Sequence, residues 1–314
     1  MRVLVTGWSG FVGRHLLPRL RDEVEDVVLL AREGGANAPG GTAVAAAPSD
    51  LAQLATLPDD LDAIIHLAAL NPERVAPAGD EDASLKRANR DATVRLAELA
   101  ATAGVSRFLF LSTANVHAAA KDRPVIEDDE PAPDDLYAAS KLSAEDGLRD
   151  ALRGSRTSYT ILRPPPVYGP GGRGSMAALA RLAASHLPLP FGSTRDRRSV
   201  LAVDNLVDAI LIALTHPGAA NQTFLLADED PATTGELVAM MREAQGRNAH
   251  LFPLPVGLVS LAARAAGRGA LAERLAAPLV VDHSSIRLRI GWRPRVSTRD
   301  ALGAAWAAKG RASA

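Results

Sequence analysis

The sequence predicts an α/β fold, a doubly wound parallel sheet followed by a smaller C-terminal α/β substrate domain. Three observations predict it. Residues 1–20 read as strand, glycine turn and helix. The first half of the chain alternates short apolar runs with helical patterns, which is the signature of strands joined by crossover helices. The run Asp62-AIIHLAA is apolar almost throughout, as in a strand covered on both faces.

The first element is a β-branched, apolar strand from Arg2 to Thr6. Glycines follow at Gly7, Gly10 and Gly13, and then a helical face of Phe11, Val12, His15, Leu16 and Leu17. The spacing is G-x-x-G-x-x-G. Gly7 allows the tight turn, Gly10 presents no side chain to a pyrophosphate, and Gly13 lets the helix lie close to the strand. Free N–H groups and the positive end of the helix dipole then face the phosphates. The alternative is a plain turn, but a strand before and a helix after favour a nucleotide cofactor.

The second strand runs from Asp26 to about Ala31 and ends Ala31-Arg32-Glu33. An acid at this tip holds the ribose 2′-hydroxyl of NAD, whereas an arginine accommodates the 2′-phosphate of NADP. Arg32 therefore favours NADP over NAD. Thr42 to Ala47 is a weak third strand, with Asp50 just beyond it, where it could approach the adenine.

In the fourth strand, His66 reads as a packed core histidine rather than a catalytic one, and Ala68 and Ala69 are small enough for backbone to touch a cofactor. Asn71 to Asp82 is a polar loop at the ligand end of the sheet. Asn89 is expected to open a helix closed by Gly104, either as a start residue or as a brace for the active-site backbone. The fifth strand, Arg107-FLFLST, delivers Ser112 and Thr113. After an acidic, proline-rich loop from Pro124 to Asp135, a helix begins near Leu136. Tyr137 and Lys141 lie four apart, on one face of it. A tyrosine titrates near ~10 unaided, and a neighbouring ammonium lowers that value. Such a tyrosine can exchange a proton with a carbinol oxygen while hydride moves to or from nicotinamide, with Thr113 as second hydrogen-bond partner. Thr113, Tyr137 and Lys141 are thus the candidate catalytic residues.

The motifs TGWSGFVG, IIHLAA, FLFLSTANV, YAASK, LRPPPVYGPG, RRSVLAVDNLVDAI and IGWRPRVSTRDAL, together with Asn89, span nearly the whole chain. In them the sequence resembles the extended short-chain dehydrogenases/reductases of the NAD-dependent epimerase/dehydratase family. The resemblance is to the UDP-glucose 4-epimerase branch, and the last motifs are most similar to enzymes of UDP-N-acetyl sugars, the 4-ketoreductases (UDP-N-acetylquinovosamine dehydrogenases) and 4-epimerases. It implies a Rossmann domain of residues 1–166 and about 200–227, with a nucleotide-sugar domain of 167–199 and 228–314. It further implies that Ser9, Leu51, Leu67, Leu111, Ser112, Pro164 and Val167 join the residues above around the cofactor. Asn115, His117, Pro165, Arg197 and Asp282 would join Thr113 and Tyr137 around the substrate, with Arg197 on its phosphates. An arginine fork suits phosphate geometry. Asp282 could equally start a helix.

The chain departs from the family in three places. Val116-His117-Ala118 stands where V-Y-G is usual, so His117 either fills a packed site or reshapes the sugar pocket. Ala114 and Asn115 stand where dehydratases carry an Asp-Glu pair, which argues against 4,6-dehydration. Pro165 replaces an asparagine common in epimerases. In the second half, the Gly169 to Gly174 loop should lead into the substrate domain, and the chain should return to the sheet near Leu201 and at Thr223-FLLA. Asp204 and Asn205 read as a helix cap and Asp208 as a surface residue.

Composition agrees with an enzyme. The 314 residues are 47% hydrophobic, ample for a large core, and the net charge of −1 gives no footprint for nucleic acid. The chain contains no cysteine, which excludes disulfides, thiolate nucleophiles and cysteine-bound zinc, and no metal is expected. A start directly in a strand and the lack of an apolar run near ~18 residues point to a cytoplasmic protein without membrane contact. Leu251 to Ala276, apolar but broken by prolines, glycines and arginine, reads as a helical lid or core. A UDP-sugar is the expected partner, and a homodimer stays open. The function is thus a hydride transfer at C4 of a nucleotide sugar, by a reductase or by an epimerase that retains its cofactor. The competing class is a dinucleotide-binding sensor or chaperone, which would need none of Thr113, Tyr137 and Lys141.

Overall fold

The computed structural model describes residues 1–32, 43–47, 50–71, 80–117, 123–255, 257–258, 261, 264 and 278–307. It opens with strand β1 (Arg2–Thr6), helix α1 (Phe11–Glu23), β2 (Asp26–Arg32), β3 (Ala43–Ala47) and β4 (Ala63–His66). A helical run follows, made of α2 (Glu81–Leu85), a π-helical turn at Lys86–Asp91 and α3 (Ala92–Ala103). Next come β5 (Arg107–Leu111), a 3₁₀ turn at Ala114–His117, α4 (Leu136–Leu152) and β6 (Ser158–Arg163). The second half holds β7 (Val167–Tyr168), α5 (Gly174–Ala183), β8 (Arg197–Arg198), β9 (Leu201–Ala202), α6 (Val203–Thr215), β10 (Gln222–Leu225), β11 (Ala232–Thr233), α7 (Thr234–Glu243), α8 (Ser284–Ile290) and α9 (Thr298–Ala307).

Seven strands form one parallel sheet in the order β3-β2-β1-β4-β5-β6-β10. Alternate residues go to opposite faces, as the two-residue period of a strand requires. Val3, Val5, Leu29, Ile65 and Leu109 meet α1 and α6 through Leu16, Leu20, Leu206 and Ile210. Leu4, Val28, Ile64, Phe108 and Phe110 meet α3 and α4 through Leu96, Ala100, Ala144 and Leu148. This two-sided burial is why the strands read as apolar runs. The seventh strand, β10, falls where the sequence put it, but near Leu201 the chain does not rejoin the sheet: β9 pairs with β7 in a separate two-stranded sheet, and only the helix after it, α6, packs on the central one.

A second core gathers Tyr168, Met176, Leu179, Val200, Leu237, Met241 and Leu302, brought together by α5, α7 and α9. A buried carboxylate joins it to the sheet. Asp228 accepts from Ala202 N (3.0 Å), Asn205 Nδ2 (2.8 Å), Tyr168 Oη (2.7 Å) and Thr298 Oγ1 (3.1 Å). Burial works to push its pKa up, and these donors oppose that.

Several expectations need correction. The fourth strand ends at His66, and the bond from Leu67 N to Thr6 O is its last to β1. Asn89 does not open its helix: helical structure begins at Glu81, capped by Asp80, and Asn89 lies within the π turn. Asp204-Asn205 is no cap, since α6 starts after Ala202 without a side-chain cap. Asn205 is instead fully buried. Its Oδ1 accepts from Arg295 N (2.9 Å) and Val296 N (3.0 Å), pinning the segment before α9. Asp208 is not a surface residue but a buried one, paired with Arg19 (2.9 Å) and Arg295 (3.4 Å). Thr42, Glu33, most of the Asn71 to Asp82 loop, Ala118 and most of Leu251 to Ala276 lie outside the described residues. Among the described residues, no helix is long and apolar enough to cross a membrane, and no cluster of three His, Asp or Glu could hold a metal.

Candidate active site

The site starts where β1 and β4 lie side by side while their connections leave in opposite directions, to β2 and to β5. Such a switch point opens a crevice at the carboxyl ends of the strands. Gly7 turns there with φ +68°, and a Cβ on it would stand 2.5 Å from Ala68 N. A Cβ on Gly13 would stand 2.5 Å from Trp8 Cα, so α1 packs directly on the turn. No side chain caps α1 at Gly10, which leaves its first N–H groups to a ligand. Ser9 and Gly10 are exposed, and Phe11 and Val12 partly so. The turn therefore fits a pyrophosphate.

The opposite wall is braced by Asn89, as one of the two readings had it. Its Oδ1 accepts from Leu70 N (2.7 Å), and its Nδ2 donates to Leu70 O (3.1 Å) and Ser140 Oγ (2.9 Å). Ser140 Oγ in turn donates to Tyr137 O at 2.7 Å. The backbone beyond Leu67, Ala68 and Ala69 is thereby tied to the start of α4. Thr6 Oγ1 holds the ring of His66 (2.6 Å) and accepts from Ala68 N (3.2 Å). His66 also meets Thr93 Oγ1 (3.0 Å), and burial and Lys141 bring its pKa down to about 3, which makes it a neutral core histidine.

Along the adenosine side, β2 ends at Arg32 beside Ala47, and the side chain of Arg32 lies outside the described residues. Asp50 caps the 3₁₀ turn that holds Leu51, accepting from Ala52 N (3.0 Å), and pairs with Arg87. Its carboxylate is thereby held by the turn and by Arg87.

Beyond β5, Leu111 leads to Ser112 and Thr113. Ser112 N donates to Leu162 O (2.8 Å), and Ala114 N donates to Pro164 O (2.8 Å), which stitches this strand end to β6. Thr113 Oγ1 accepts from Asn115 N (3.2 Å), which leaves its O–H to donate. Helix α4, capped by Asp135, packs against the turn that follows Thr113 and carries Tyr137 and Lys141. Their electrostatics differ from the expectation. Burial, followed by Asp135, pushes Tyr137 up to about 12. Lys141 stands 4.0 Å over the Phe110 ring, and burial lowers it to about 7, against the upward pull of Glu145. Desolvation outweighs any lowering of the tyrosine by the ammonium. Pro165 is buried and Val167 pairs with Leu201 in β9.

Two substrate assignments also change. His117 is 1% exposed and takes a hydrogen bond from Arg163 Nη1 (2.7 Å), so it is packed rather than open to a sugar. Arg197 points outward, onto Pro231 O (2.6 Å) and Glu236 (3.1 Å). Its neighbour Arg198 is the buried one, brought down to about 10 by desolvation. Asp282 accepts from Ser284 N (2.7 Å) at the start of α8, its helix-opening reading.

Sequence reasoning missed Glu145 and Arg163. Glu145 is fully buried; burial favours its protonated form, but bonds from Arg163, Ser112 and Arg149 keep its pKa low. The visible signal was the four-residue ladder Tyr137, Lys141, Glu145, Arg149 on one helix face. A cavity of about 390 Å³ beside Arg163, bordered by Glu127, Asp128, Thr223 and Arg289, includes none of the residues expected at cofactor or substrate.

Lys141 supplies a test that needs no substrate. Its folded pKa lies below its ordinary 10.5, so the unfolded chain binds more protons between about pH 7 and 10. Stability should therefore rise with pH across that window, with a slope approaching about 1.4 kcal/mol per pH unit. Tyr137, shifted upward, opposes this only above its ordinary value of 10.0. Urea titrations at several pH values should show the rise in wild type and not in Lys141→Met. An equal slope in both would mean that the ammonium is not desolvated.

Residues 3–227 match the NAD dependent epimerase/dehydratase family. A UDP-glucose 4-epimerase of Vibrio cholerae is 33% identical over 300 residues, covering 93% of this chain and 90% of that protein. A dTDP-6-deoxy-L-talose 4-dehydrogenase (NAD(P)(+)) of Kitasatospora kifunensis is 28% identical over 328 residues, covering 99% and 96%. Among solved structures, MoeE5 in complex with UDP-glucose and NAD superposes with a TM-score of 0.77 at 25% identity, over 100% of this chain and 99% of that one. The glycine turn, the sheet order and these similarities agree, and the chain belongs to the NAD-dependent epimerase/dehydratase family of extended short-chain dehydrogenases/reductases.

Proposed function

We propose that the protein transfers hydride at C4 of a UDP-sugar, as a 4-ketoreductase/4-dehydrogenase. The observation that carries this reading is the pairing of α4, bearing Tyr137 and Lys141, with the strand end bearing Thr113. NAD(P), when bound, supplies or takes up the hydride. Gly7, Gly10 and Gly13 would hold its pyrophosphate, and Leu67 to Ala69 and Asn89 would wall the crevice. Tyr137 gives or takes the proton at the C4 oxygen, and Thr113 donates a second hydrogen bond to that oxygen. Lys141, whose neutral and charged forms are close in energy near pH 7, adjusts the charge around the tyrosine. Ala114 and Asn115 offer no carboxylate, so water elimination has no acid–base pair. The second reading is 4-epimerisation with retained cofactor, favoured by the Vibrio relative.

For the diphosphate, the buried Arg198 is the better candidate of the arginine pair. Burial disfavours its charge while Asp196 supports it, and a diphosphate would add to that support. Arg197 already spends its fork on Pro231 and Glu236. For the cofactor, NADP is preferred, because β2 ends in Arg32 without an acid at Ala31 or Arg32.

Stoichiometric consumption of NAD(P)H with a UDP-4-keto sugar is the expected result. Interconversion of UDP-sugars without net change in nicotinamide would establish the epimerase instead, and turnover of neither would leave a binding protein. Tyr137→Phe should lower kcat by about 100- to 10,000-fold with folding intact. Full activity in that variant sinks the acid–base assignment.

Calorimetry with UDP should show a loss of about 10- to 100-fold for Arg198→Gln, the value of a charged hydrogen bond, and less than about threefold for Arg197→Ala. The reverse order would return the phosphates to Arg197. Wild type should bind NADP more tightly than NAD, and Arg32→Ala should erase the difference; tighter NAD binding by wild type disproves the preference.

A further inference from the structure

Thr113 is held on both sides by hydrogen bonds that lead to one carboxylate. On its N-terminal side, Ser112 Oγ donates to Glu145 Oε1 at 2.5 Å. On its C-terminal side, His117 ends the 3₁₀ turn and receives Arg163 Nη1 on its Nε2 at 2.7 Å. Arginine has no acceptor, so that nitrogen offers its lone pair. Arg163 then forks onto Glu145, with Nε to Oε1 at 3.0 Å and Nη2 to Oε2 at 2.6 Å. Arg149 Nη2 adds a bond to Oε2 at 3.0 Å. Glu145, Arg163 and His117 are each at most 3% exposed. Glu145 lies on α4 one turn after Lys141 and two turns after Tyr137.

We propose that Glu145, Arg163 and His117 are positioning residues that set the separation between Thr113 and Tyr137, so that both hydroxyls meet one substrate oxygen. The inference rests on the acid–base reading of Tyr137 above and adds how its partner is placed. A buried ion pair contributes little net stability over well-packed apolar side chains, so stability alone does not explain it. A bidentate guanidinium–carboxylate pair does fix distance and angle together. It spans three elements: β6 through Arg163, α4 through Glu145, and the Thr113 segment through Ser112 and His117. Together with the backbone bonds from Ser112 N and Ala114 N to β6 and the residue after it, these anchors hold the Thr113 segment on both flanks. An error of about 1 Å in such a site costs on the order of 100-fold in rate.

The role differs from substrate binding in what it changes. A sugar contact by His117 would show in KM, whereas positioning shows in kcat. Measure kcat and KM for His117→Phe, His117→Gln and Glu145→Gln, with cofactor affinity and melting temperature as folding controls. Measure His117→Phe again in a Thr113→Val background. His117→Phe should lower kcat by about 10- to 100-fold with KM within about twofold. His117→Gln, whose amide oxygen can accept from Arg163, should recover most of the loss. In the Thr113→Val background the loss should shrink to less than about threefold, since residues acting through one another are not additive. Equal losses in both backgrounds would indicate a merely structural role and overturn the proposal, as would a folded His117→Phe with full kcat or a change confined to KM. If Tyr137→Phe loses activity while His117→Phe and Glu145→Gln keep it, only the positioning proposal falls. If Tyr137→Phe keeps full kcat, the acid–base reading falls and this one with it.

Discussion

The structure turns on the contact between Gly7 and the backbone of Ala68. β1 and β4 are neighbours, and the chain leaving each must pass the other within backbone distance. A side chain at Gly7 would force the two strand ends apart. The crevice depends on that contact, and so does the direction of α1, whose uncapped first turn faces it. The same closeness lets Thr6 hold His66 and Ala68 together, so the first strand sets the wall of the cofactor crevice as well as its floor.

Two of the buried carboxylates, Asp228 and Glu145, each gather several donors. Asp228 gathers donors from Tyr168, Ala202, Asn205 and Thr298 and joins the sheet to the second core. Glu145, on α4, gathers Ser112, Arg149 and Arg163. Each buried charge is held by several directed bonds, the condition under which a carboxylate tolerates loss of water. The donors come from segments far apart in sequence, so each centre fixes relations between elements that no apolar contact would specify so narrowly.

Much of this was legible in the sequence, and the reasons are local. A strand buried on both faces must be apolar on both faces, which marked β1, β4 and β5. The glycine turn and the four-residue spacing of Tyr137 and Lys141 are also short-range patterns. What the sequence hid was choice of partner. Arg197 and Arg198 are adjacent, and only the pairing of β8 with β11 decides that the second is buried. Asn205 looks like a helix start, yet its amide serves a segment ninety residues on. The helical spacing of Tyr137 and Lys141 reveals which charge is near but not how much water both groups lose, and it is burial that raises the tyrosine.

The π turn at Lys86–Asp91 has a consequence for how this protein can change over generations. A π turn carries one more residue than the α-helix around it. Removing one residue there would let the helix close regularly with α2 and α3 keeping their faces, because the turn is the place that absorbs the extra residue. Leu85 would stay buried, but the widened turn that presents Asn89 to Leu70 and Ser140 would be gone. Substitutions in this stretch other than at Asn89 leave that presentation alone, whereas a single-codon deletion removes it. The segment can therefore vary in composition around Asn89 while its length stays fixed.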